Sequence, residues 1–139
     1  MKKLIFLAVV FLIAGCEPEG ATPNKPVNDI FDETQATLLR EGTWMGSGSY
    51  EVSGTAQIYD QNGKKILLLK SFSSSNGPDL KVYLSTSTNA DSFVNLGKLK
   101  STSGKQTYEI PVETDVNQFK FALIWCEQFS VLFGKAQTE

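Results

Sequence analysis

The chain has 139 residues, 41% of them hydrophobic, which suits one domain built on a single core. Its 13 basic and 15 acidic side chains form no basic tract of the kind that nucleic-acid binding requires. There is no histidine, which removes Ser-His-Asp and Cys-His catalysis, His-ligated haem, ordinary zinc enzymes and the blue-copper ligand set.

At the N-terminus, Lys2 and Lys3 form a basic flank, and Leu4 to Ile13 form an unbroken apolar run of ten residues. A spanning helix needs roughly 20 residues, so this run is too short for one. It has the length of a signal-peptide core. The ending "IAGC", preceded by Leu12, resembles the bacterial lipobox, whose cysteine is lipidated and becomes the first residue of the mature protein. The expectation is a lipoprotein signal peptide over 1–15, lipidation at Cys16, and a domain outside the cytoplasm, held to a membrane of the bacterial cell envelope. Several acyl chains, at about 0.8 kcal/mol per buried methylene, suffice for such an anchor. The mature charge is then 11 − 15 = −4, since residues 1–15 carry two lysines and no acid. Of two cysteines only Cys126 is left as a thiol, so no internal disulfide can form.

Residues 16–33 hold Pro18, Pro23 and Pro26 with few large apolar side chains, a composition suited to a flexible, hydrated tether. From residue 34 to 139 the chain reads as one domain. Its start is either a short N-terminal helix over Glu33–Arg40, capped by Asp32 and ended at Gly42, or a lead through "TQATLL" into a strand. From Thr43 the pattern is β. "SYEVSGTAQIYD" alternates polar and apolar residues, and Asn62-Gly63 is a hairpin signal before "KKILLLKSF". "DLKVYLST", "FVNLGKLK", "TYEIPV", "FKFALIWC" and "SVLFGKA" follow at intervals of about ten residues, divided by Gly, Ser, Asn and Asp clusters. The predicted fold class is all-β, an antiparallel β-sandwich or a barrel-like variant of it.

Chemistry is sparse along this chain. No glycine-rich phosphate loop occurs, because the glycines of "GSGSYEVSG" lead into strands. Asp79, Asp91, Glu109, Glu113, Asp115 and Glu127 are scattered, so paired carboxylates for glycoside chemistry carry little weight. No metal site is expected. Cys126 is different. If "FKFALIWC" is a strand, Phe119, Phe121, Leu123 and Trp125 share one face, expected to be the core. Lys120, Ala122, Ile124 and Cys126 share the other, where a partly covered surface or pocket could lie. The plainer role for Cys126 is a small buried hydrophobe; against it, an exported thiol meets oxidants, and Ala or Val fills space as well. Phe129, Val131 and Phe133 resume the pattern after Glu127-Gln128, which predicts a turn or bulge there.

"GTWMGSGSYEVSGTAQIY", "NGPDLKVYLS", "NLGKLKSTSGKQTYEIP" and "LIWCEQFSVLFGKA" together resemble the DM13 domain, over most of residues 36–137. That is a β-rich extracellular domain often found with DOMON domains and assigned to electron transfer. The resemblance implies a redox role for Cys126, as a bare thiol or through a prosthetic group such as haem, and it makes Asp79 and Trp125 candidate neighbours. Asp79 also has a plainer role as a turn or strand-start residue, and Trp125 as a core residue. The redox partner or ligand is left unspecified by the sequence. The rival expectation is a non-enzymatic module that binds a ligand or another protein through its loops, because fold alone does not give function.

Overall fold

The computed structural model describes residues 20–139; the expected signal peptide and Cys16 lie outside them. The strands are β1 (Val27–Asn28), β2 (Thr37–Thr43), β3 (Met45–Gly46), β4 (Val52–Gln61), β5 (Lys64–Ser74), β6 (Leu80–Ser85), β7 (Phe93–Lys98), β8 (Ser103–Ile110), β9 (Phe121–Cys126) and β10 (Val131–Gln137). They form two five-stranded sheets, ordered β1-β8-β5-β4-β2 and β3-β10-β9-β6-β7. Every pairing is antiparallel except β1 with β8. The fold is a β-sandwich, as the regular spacing of short strands predicts. The sheets meet at one corner, where β2 passes through Trp44 into β3 and Glu41 pairs its backbone with Glu139. Among the described residues no helix is long and apolar enough to cross a membrane.

Alternation decides the core. Leu67 and Leu69 of β5 face Leu80, Val82 and Leu84 of β6 and Ala122, Ile124 and Cys126 of β9 across the space between the sheets. Trp44 packs edge-on to Phe72 in the same core, and its indole Nε1 is buried without a partner. Asn62 and Gly63, at φ 54° and 85°, make the two-residue turn between β4 and β5 that positive φ at both positions demands.

Three features differ from the sequence reading. The short helix is a single 3₁₀ turn, Glu33–Gln35, whose cap Asp32 accepts from the Thr34 N–H; β2 follows at once, as the strand alternative for "TQATLL" has it. Residues 20–33, expected as a tether, are docked on the sandwich. Asp29 accepts from the Thr107 N–H at the edge of β8 and pairs with Lys100, Phe31 packs on Tyr59, and Glu33 pairs with Lys70 on the outer face of the first sheet. Proline and low apolar content make this stretch look unbound; apart from the Phe31 ring, its partners are polar and backbone groups, which hydrophobic patterning does not register. The third difference concerns β9.

Candidate functional site

Cys126 ends β9, in register with Leu80 of β6 on one side and Val131 of β10 on the other. It is 1% exposed, and its S–H donates to the Pro78 carbonyl oxygen at 3.1 Å. The donor in that bond is the protonated thiol. The face expected to be the core is therefore the wrong one: Ala122, Ile124 and Cys126 point between the sheets, while Trp125 lies on the outer face, half-buried. Large residues from β5, β6 and β10 fill much of the interior, and Ala122, Ile124 and Cys126, two of them small, complete it from β9. Of the set expected inside, Trp125 finds its partner outside, Leu123 is buried, and Phe119, which precedes the strand, packs against the core.

The loop that holds the thiol is tied down by its first residue. Asn76 Oδ1 accepts from the Gly77 N–H at 2.7 Å and from the Thr22 N–H at 3.2 Å, while its Nδ2 donates to the Thr22 carbonyl at 2.9 Å. Asp79 adopts φ 54°, a left-handed conformation that Asp tolerates better than most residues. Its N–H donates to the Gly20 carbonyl at 2.8 Å, and its own carbonyl accepts from the Glu127 N–H at 3.2 Å. The Asp79 carboxylate holds the Lys81 ammonium at 2.7 Å. Asp79 thus shapes the Cys126 site through its backbone.

Over the thiol lies a pocket of about 350 Å³, lined by Tyr50, Asn76, Gly77, Pro78, Phe129, Val131 and Phe133. Tyr50 and Phe133 stack at 3.8 Å between ring centroids. A Cβ on Gly77 would stand 2.5 Å from the Phe133 ring, so this close approach needs glycine. Phe129, at the turn Glu127–Ser130, is 63% exposed and stands at the mouth. No Lys or Arg lines this pocket.

The outer face of the same sheet carries a second concavity, about 400 Å³, between β6, β7 and β9. Tyr83 stacks on Phe93 at 4.2 Å and lies near parallel to Trp125 at 6.3 Å. The Tyr83 hydroxyl donates to Glu127 Oε2 at 2.9 Å. Burial first, then that hydrogen bond and the negative charges of Glu127 and Asp79, hold the hydroxyl pKa well above the ordinary tyrosine value. Cys126 and Trp125, adjacent in sequence, therefore serve opposite sides of one sheet. The structure brings Asp79 to Cys126 and keeps Trp125 away. Sequence reasoning missed Asn76, Tyr50, Tyr83 and Phe93; each lay in a segment it had marked, but cross-strand register could not be read.

Comparison with protein families matches residues 45–138 to the family described as Electron transfer DM13. The chain belongs to the DM13 family. Neither the curated proteins nor the solved structures compared with it give a match. The matched segment of this DM13 protein begins at β3, so β1 and β2 lie before it. The family's electron-transfer assignment raises the question of a haem, and the residues present do not fit one. The sulfur of Cys126 is hydrogen-bonded to a backbone carbonyl, the one other ligating side chain at the pocket, Tyr50, has its ring stacked on Phe133, and no basic side chain there could pair with propionates. Met45, the other thioether or thiol among the described residues, is on an edge strand, 61% exposed, and does not line the pocket.

Proposed function

We propose that this is a lipid-anchored electron-transfer module of a bacterial cell envelope, attached through Cys16, in which Cys126 of the DM13 domain is the redox group, acting as a bare thiol. The observation that carries the reading is the position of Cys126: it lines an apolar pocket bounded by Asn76-Gly77-Pro78 and by Phe129, and its sulfur is held by the Pro78 carbonyl at the pocket's own wall. A thiol in that place exchanges with a partner disulfide admitted through the pocket. Its sulfur attacks one sulfur of the partner, a mixed S–S bond forms as the partner's bond breaks, and the departing sulfur takes the electron pair and the proton lost from Cys126. The protein without its signal, incubated with oxidised glutathione, should gain one glutathione on Cys126 under native conditions, read by mass spectrometry and lost in Cys126→Ser. A thiol that reacts only after unfolding overturns the proposal.

A second reading, a binding module without redox chemistry, is favoured by the outer aromatic concavity around Tyr83, Phe93 and Trp125. It requires that Cys126→Ser leave function intact while Trp125→Ala abolishes it.

A further inference from the structure

Given the lipid anchor at Cys16 proposed above, we infer that the end of the sandwich bearing the Cys126 pocket lies against the membrane surface, with the Phe129 turn touching lipid. The argument is one of reach. Gly20 is fixed to that end: its carbonyl accepts from the Asp79 N–H, and Ala21 bridges to Pro78, the residue whose carbonyl holds the thiol. Four residue steps separate Cys16 from Gly20, and a fully extended chain covers at most about 14 Å in four steps. The headgroup layer is itself about 5–8 Å deep, which leaves less than about 10 Å of clearance above it. Strand β6, six residues long, puts the opposite end of the second sheet about 20 Å away. A domain standing on that opposite end would hold Gly20 beyond the reach of its anchor.

The surface at the near end suits the contact. Phe129 projects from the turn as an exposed aromatic ring beside the pocket mouth. Charge at this end is mixed and not net positive: Lys81 pairs with Asp79, Lys98 lies beside Gly20–Pro23, and Glu127 and Glu51 are close by. The contact therefore does not depend on anionic lipid. Its consequence is that the Cys126 pocket opens toward the bilayer, so whatever enters it arrives along the membrane.

The test uses the full-length, membrane-processed protein in vesicles of zwitterionic lipid with brominated acyl chains. Phe129→Trp adds an indole at the turn, and its fluorescence should be quenched several-fold more than that of the parent protein. Inserting twenty Gly/Ser residues after Glu19 gives a linker whose typical span is about 25 Å, and should abolish the extra quenching. If the acylated, vesicle-bound protein shows the same quenching with and without the insertion, or none beyond the parent, the orientation is wrong and the anchor stands. If the mature protein carries no acyl mass on Cys16 and does not float with vesicles, the anchor and the orientation fall together.

Discussion

At the scale of single residues, Asp79 separates what a side chain does from what its backbone does. Its carboxylate holds Lys81 near the surface, an interaction worth about 0–1 kcal/mol. Its φ of 54° is a different matter, because a residue with a Cβ and no local polar compensation resists that region by roughly 1–2 kcal/mol. Asp79→Asn and Asp79→Ala both discharge the site, but only Asn retains tolerance for the left-handed backbone. Urea unfolding should therefore find the Ala variant about 1 kcal/mol less stable than the Asn variant. Equal midpoints would mean that the conformation costs nothing here. Asp79 was legible as a turn residue before the strand; that its carbonyl would receive Glu127, and so fix the end of β9 beside Cys126, depended on a partner 48 positions away.

At the scale of elements, the loop Asn76–Asp79 is a latch between the N-terminal segment and β9. Asn76→Ala removes three hydrogen bonds at once and leaves the Thr22 backbone groups with fewer partners. A loss of about 1–3 kcal/mol is expected. Labelling of Cys126 by a small maleimide should also accelerate in native buffer, because the Pro78 carbonyl loses its support. A slower rate, or an unchanged one alongside the lost stability, would count against the latch. The elements themselves were largely legible. The Asn62-Gly63 hairpin and the strands from β4 onward follow from alternation and turn residues. The facing of β9 was not, since Phe119, Phe121, Leu123 and Trp125 form the more hydrophobic set and yet only an outer stack with Tyr83 and Phe93 explains where Trp125 goes. Period-two patterning names two faces; which of them is interior depends on what the facing sheet already supplies.

At the scale of the whole molecule, the N-terminal segment is part of the domain. It begins at one edge of the first sheet as β1, crosses the outer face through Phe31 and Glu33, and reaches the other edge as β2. A chain trimmed to the family-matched segment, residues 45–138, loses both edge strands and the cover over Tyr59, and should show no cooperative thermal transition where residues 20–139 show one. The same strap makes stability depend on pH at both extremes. Burial opposes ionisation of Asp29, but the hydrogen bonds from Lys100 and Thr107 win, and its pKa falls below the ordinary value of 3.8. The hydrogen bond from Lys70 lowers Glu33 below 4.5 against a smaller opposing effect of burial. Depressed carboxylate pKa values give stability that is present above about pH 4.5 and lost as pH falls through the folded values. Tyr59, buried and donating to Glu33, is pushed up to about 12, so its contribution is complete below pH 10 and lost as pH rises through 12. Melting temperatures should be flat between these limits, and Tyr59→Phe should reduce the alkaline fall, to which Tyr83 and Tyr108 also contribute, and soften the acid one slightly, because the Tyr59 hydroxyl helps to lower Glu33.

The hydrogen bond between Gly20 and Asp79 also has a mechanical meaning. Tension on the membrane anchor proposed at Cys16 would enter the described domain at Gly20, and the first bonds it would load are those from Gly20 to Asp79 and across the Ala21–Pro78 bridge. These are few and sit at the very end of the sheet, so they open one after another, as a zip does, under small forces. Pro78 is on that zip, and its carbonyl is the group that receives the Cys126 thiol. A pull on the proposed anchor would therefore act on the thiol's own hydrogen bond before it strained any strand of the core.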